Sequence, residues 1–191
     1  LERAHDHYRR SHDLSVEVGM RREVGAALWG FGSIAVERRE WDRAIGYLEE
    51  ALAIHDDLSE VETAAGTHAT LAEVAVEQGR EADAVQHLDV ALERVRSVND
   101  ELHEVELLAA RACLPGGSVE AAVGKLEAMQ GRMTVSGEMN AAWSLYRATG
   151  KSRWLGRARE LLERLRAAAP AADRDAMVEG QRIQRAIWES E

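Results

Sequence analysis

Apolar positions along this chain keep a helical beat. Ala44, Leu48 and Ala51 stand at i, i+4 and i+7, which puts their three side chains on one face of a helix. The same step recurs at Ala4, Tyr8 and Ser11, at Ala84, Leu88 and Ala91, at Ala122, Leu126 and Met129, and at Ala158, Leu162 and Leu165. The anchoring alanines are separated by 40, 40, 38 and 36 residues. A recurrence of this kind predicts a series of helices, each with one buried stripe, rather than a single irregular core.

Each complete stripe is preceded by a second amphipathic stretch. Leu28, Phe31, Gly32 and Ala35 form it in the clearest copy, and His68, Leu71, Ala72 and Ala75 in the next. Ala109, Ala110 and Cys113 form the third, and Ala142, Trp143 and Tyr146 the fourth. Gly32, Ala72 and Ala110 are small enough to let the following helix approach closely. These paired stretches resemble the tetratricopeptide repeat, a helix–turn–helix unit of about 34 residues. Residues 26–58 meet the family pattern best, with Leu28, Phe31, Gly32, Ala44, Leu48 and Ala51, while the longer spacing and Asp56 in place of the helix-ending proline depart from it. The resemblance implies an all-α fold, a right-handed α–α superhelix of about four hairpins at 25–58, 65–98, 103–135 and 137–168. Residues 1–18 would be a partial repeat, and a single helix over 173–189, with Ala176, Gly180, Ile183 and Ile187 on one face, would cap the stack.

Turn chemistry divides the chain at matching places. Arg39 with Glu40, and Gly79 with Arg80, mark the turns inside the first two hairpins. Pro115, Gly116 and Gly117 break the third, and Gly150 and Lys151 the fourth. Ser118 and Ser152 are expected to cap the helices that follow, Ser59 with Glu62 fits a capping box, and Asn99 with Asp100 offers another helix start. No linker divides the chain, so one domain is expected.

Composition narrows the function classes. Of 191 residues, 24 are Lys or Arg and 34 are Asp or Glu, a net charge of −10. That balance repels a phosphate backbone and argues against nucleic acid. No stretch approaches the roughly 18 apolar residues of a membrane span. The one cysteine, Cys113, allows neither an internal disulfide nor a thiolate metal site, and suits the cytoplasm. The sequence starts at Leu1 inside a helical pattern, as expected of a fragment of a longer protein.

Three constellations suggest chemistry and are given bland readings. Thr149, Gly150, Lys151 and Ser152 match the end of a phosphate-binding loop, but Leu145 stands where its first glycine belongs and no strand precedes it. His5, His7 and His12 include no i, i+4 pair, and are read as exposed surface rather than a metal cluster. His55, His68, His87 and His103 fall on different repeats, with His68 at a packing position. No cofactor, metal or catalytic residue is expected.

The family resemblance implies a concave groove lined by the first helix of each hairpin. Carried over by position, it comprises Ala26, Trp29, Ser33 and Glu37, then Ala69, Glu73 and Glu77. Next come Glu104, Leu107 and Arg111, and last Asn140, Ser144 and Arg147. Trp29, beside the packing residue Leu28, is expected to be partly exposed. The groove implies a protein or peptide partner. A looser likeness to tetratricopeptide regions of bacterial signalling ATPases and Ser/Thr kinases makes the chain's own missing N-terminal catalytic domain one such partner. The alternative is a peptide- or small-ligand-sensing domain of a transcriptional regulator, and the uncovered face of residues 1–18 allows a homodimer.

Overall fold

The computed structural model describes residues 2–179 and 181–190, and among these the regular structure is helical throughout. Helices pack in consecutive pairs, as in a helical repeat. Contacts divide the chain into two units, Leu1–Val98 and Asn99–Glu191.

The first unit holds α1 (Glu2–Val18), α2 (Arg21–Glu37), α3 (Trp41–Asp57), α4 (Val61–Glu77) and α5 (Glu81–Ser97). Each is 17 residues long, and from α2 onward a new helix starts every 20 residues. The forty-residue spacing of the sequence is thus two equal modules of helix plus three-residue turn. Left-handed backbone recurs at the same interval: Gly19 (φ 74°), Arg39 (59°), Ser59 (55°), Gly79 (72°) and Asn99 (56°). At the first four, the next amide donates back to a carbonyl five residues earlier: Met20 to Ser15, Glu40 to Ala35, Glu60 to His55 and Arg80 to Ala75, all at 2.8–2.9 Å. This is the Schellman stop, which satisfies carbonyls that the helix end would otherwise leave open.

Ser59 therefore ends α3 instead of capping α4. Glu60 is the N-cap residue, so the expected Ser59–Glu62 capping box does not form. The reason is positional: the turn needs its left-handed residue at 59, which moves the helix start one residue on. The helices also begin earlier than the sequence limits suggest, at 21 instead of 25 and at 61 instead of 65.

Packing follows the stripes. Ala44, Leu48 and Ala51 of α3, and Ala84 and Ala91 of α5, are fully buried. Ala35, Val36, Leu71 and Val74 join Ala44 and Leu48 in one cluster. The stripe of α1 is looser: Ser15, one turn past the exposed Ser11, is its buried residue. His5 and His12 are half-buried rather than surface-exposed, with ring centroids 5.4 and 6.0 Å from Phe31. Their i, i+7 spacing places them on the Tyr8 face that α1 lays on α2.

The second unit holds α6 (Glu101–Arg111), α7 (Val119–Ala128), α8 (Val135–Thr149), α9 (Ser152–Ala168), a 3-10 turn (Ala171–Asp173), α10 (Arg174–Glu179) and α11 (Arg182–Glu189). Its core gathers Val105, Ala122, Leu126, Met129, Met139, Leu145, Ala158, Leu161, Leu162 and Ile187. Asp100 and Ser118 cap α6 and α7 through side-chain oxygens. Ser152 does not cap α9; Lys151 is the N-cap residue, because the left-handed Gly150 (φ 65°) closes α8 directly before it. The final helix is two short helices, not one. Gln181 is extended between them (φ −121°, ψ 129°), beside Gly180, the weakest helix former in this stretch. Gly180 itself lies outside the described residues. Ile187 is fully buried and Ile183 half-buried, but Ala176 is exposed.

Candidate partner-binding surface

In the first unit the residues singled out from sequence form two short stripes. Trp29, Ser33 and Glu37 follow one another at i, i+4 and i+8 on α2, and Ala69, Glu73 and Glu77 do so on α4, forty residues later. The two helices touch each other as well as their hairpin partners. Trp29 is 38% exposed although Leu28 beside it is buried at 6%. Its indole therefore contributes less to packing than its size allows. Ser33, Glu37, Ala69 and Glu73 are half-buried, and Ala26 and Glu77 exposed. Ser33 Oγ donates to the carbonyl of Trp29 at 3.0 Å, a helix back-bond that holds the hydroxyl against its own backbone. This surface thus carries an exposed indole and three carboxylates.

The second unit uses its corresponding residues differently. Glu104 pairs with Lys125 of α7 at 2.8 Å, and the hydrogen bonds that the Lys125 ammonium donates to the Glu104 and Glu101 carboxylates raise it above its usual range. Leu107 is buried at 5% and is core, not groove. Arg111 Nη1 donates to the Pro115 carbonyl at 2.7 Å, tying the loop after α6. Asn140 hydrogen-bonds Glu106, whose carboxyl burial pushes up while the Asn140 bond opposes the shift. The Ser144 carbonyl accepts from Cys113 Sγ at 3.1 Å, and burial raises the Cys113 thiol. Arg147 is exposed. Most of these groups serve contacts inside the unit, because α6 stops at Arg111 and packs on both α7 and α8.

The suspected phosphate loop is the α8–α9 turn. Gly150 N–H donates to Tyr146 O at 2.7 Å, and Leu145 is a fully buried helical core residue. No group of three or more metal-binding side chains occurs among the described residues, and no helix there is long and apolar enough to cross a membrane. A half-open cleft in the second unit is lined by Arg166, Asp175, Val178, Arg185, Trp188 and Glu189, with the Arg166 guanidinium 5.3 Å above the Trp188 ring.

Two histidine contacts escape the sequence reading. His55 Nδ1 lies 3.0 Å from Glu60 Oε2, across the α3–α4 turn. His68 and His87 meet at 3.0 Å between their Nδ1 atoms, joining α4 to α5. Burial lowers His68 to about 4, with Arg94 and His87 acting in the same direction and Asp56 against it. Burial likewise lowers His87, which Asp83 opposes. A signal for this pair was present: His68 stands eleven residues before Gly79 and His87 eight after it, so an antiparallel hairpin brings them nearly level.

No family model matches this chain, and no curated protein matches it.

Proposed function

We propose that this chain is a non-catalytic protein-binding module built as a right-handed superhelix of tetratricopeptide-like hairpins, and that it docks a peptide segment on α2 and α4. The observation that carries this reading is the forty-residue repetition of Trp29, Ser33 and Glu37 as Ala69, Glu73 and Glu77, outside the buried stripes. An exposed indole is the type of anchor that dominates binding energy at interfaces. Glu37, Glu73 and Glu77 on the same two helices favour a basic partner and speed its encounter. The net charge of −10 supports a protein or peptide partner over nucleic acid, and the single cysteine suits a cytoplasmic setting. The partner is either a separate signalling protein or a catalytic domain carried on the same polypeptide.

The test is affinity capture from the source cell with wild-type chain, Trp29→Ala and Glu73→Arg as parallel baits, followed by mass spectrometry. A protein retained by the wild type and lost from both variants supports docking on α2 and α4. Equal retention by all three removes this surface from consideration.

A second reading, a ligand-sensing regulatory domain, is favoured by the cleft between α9 and α11, where two arginines and Trp188 face a common space. Small-molecule binding lost in Trp188→Ala but kept in Trp29→Ala would select it.

A further inference from the structure

Beyond the partner-binding reading, we propose that His68 and His87 form a two-imidazole site for a borderline transition-metal cation of the Zn2+ class, ligated through both Nδ1 atoms and completed by water. The geometry is nearly set. The two Nδ1 atoms lie 3.0 Å apart with ring centroids 5.3 Å apart and planes inclined at 41°. A zinc ion with Zn–N distances of about 2.0–2.1 Å at a tetrahedral angle separates two ligand nitrogens by about 3.3 Å. To admit the ion, which would sit off the line between the nitrogens, the imidazoles need to part by a few tenths of an ångström and turn both Nδ1 lone pairs toward it.

Protonation allows the exchange. Two facing Nδ1 atoms at hydrogen-bond distance require one to carry the proton and the other a lone pair. On ligation the donor ring gives up its Nδ1 proton to solvent and takes one at Nε2. Both rings then present Nδ1 lone pairs, and no net proton leaves a neutral pair. Burial of both rings disfavours the imidazolium, and the neutral ring is the form that binds metal.

The charges around the pair are mixed in sign and favour a cation on the His87 side. The charged groups around the pair are Arg94, Asp56, Asp83, Arg80 and Glu49. At His68 Arg94 outweighs Asp56, which holds it at 2.6 Å, whereas at His87 Asp83 outweighs Arg80, which it holds at 2.8 Å, and Glu49 adds a carboxylate on that side. His68 is buried at 9% exposure, whereas His87 is half-buried and opens the way to solvent. No third metal-binding side chain joins them among the described residues, which leaves coordination positions for water and makes the site exchangeable. An ion there would staple α4 to α5.

The preceding hairpin supplies variants that the fold tolerates. Forty residues before His68 and His87 stand Leu28 and Tyr47, on the corresponding helices. The experiment is titration of the tag-free full chain with ZnCl2 near neutral pH by calorimetry, beside His68→Leu and His87→Tyr. The expected result is one zinc per wild-type chain, a raised Tm, and at least tenfold weaker binding in each variant. Long-range 1H–15N correlation should show the donor ring converted to the Nε2–H tautomer, so that both rings carry it in the zinc-bound wild type. MgCl2, which prefers oxygen ligands, should not bind there. No zinc binding by the wild type, or binding unchanged in both variants, overturns the proposal.

Discussion

A Cβ built on Gly32 would stand 2.7 Å from both Cγ and Cδ2 of Leu48. Leu48 is fully buried, and its side chain occupies the space that any larger residue at 32 would need. The missing side chain therefore sets how closely α2 and α3 approach. Gly32→Ala should lower stability by about 1–3 kcal/mol through overpacking. Gly46, on α3 with nothing within 4 Å of its notional Cβ, is the matched control. Gly46→Ala should raise stability by up to about 1 kcal/mol through helix propensity. Urea unfolding of both variants distinguishes the two effects; equal signs would contradict the packing account.

The repeated turns make a second prediction. Arg39 and Ser59 hold φ of 59° and 55°, where the corresponding turn residue at 79 is glycine with φ 72°. A side chain in this region costs about 1–2 kcal/mol. Ser59→Gly is expected to gain about 1 kcal/mol and Gly79→Ala to lose a similar amount, measured as opposite shifts in the midpoint of denaturation.

Glu60 closes a further contact at the same turn. Its Oε2 lies 3.0 Å from the nearly buried His55 Nδ1, and Arg22 Nε approaches its Oε1 at 2.7 Å. Glu60→Ala leaves the His55 ring without that partner, with an expected loss of about 1–3 kcal/mol. Arg22→Ala should cost less, since the Arg22 side chain is 71% exposed and water screens its end of the pair.

Acid should act through the histidine pair. His68 is lowered from 6.5 to about 4 in the folded chain, first by burial. Between those values the unfolded chain binds a proton that the folded chain does not. The sign is therefore loss of stability as pH falls below about 6.5, levelling off near 4. With solvent reaching the half-buried His87 side, the expected loss is on the order of 2 kcal/mol. His68→Leu should flatten this segment of the stability–pH curve; an unchanged slope would assign the acid sensitivity to other groups.

Much of the fold is legible in the chain. The stripe Ala44, Leu48, Ala51 is buried because i, i+4, i+7 spacing can face only one way on a helix. Ser118 caps α7 because a hydroxyl before an apolar run has a nearby amide to accept from. The candidate surface was legible in part. Trp29 emerges where a wide side chain sits beside a packing leucine, whereas Leu107, at a groove position by the same register, is buried at 5%.

Local pattern alone determines helix, stripe and approximate turn, since each depends on residues within one or two turns of one another. Other features depend on neighbours distant in sequence. Whether Glu104 faces a groove or Lys125 is decided by where α7 lies. His68 and His87, read singly, are two unremarkable imidazoles, and only the antiparallel return of α5 along α4 brings their Nδ1 atoms together.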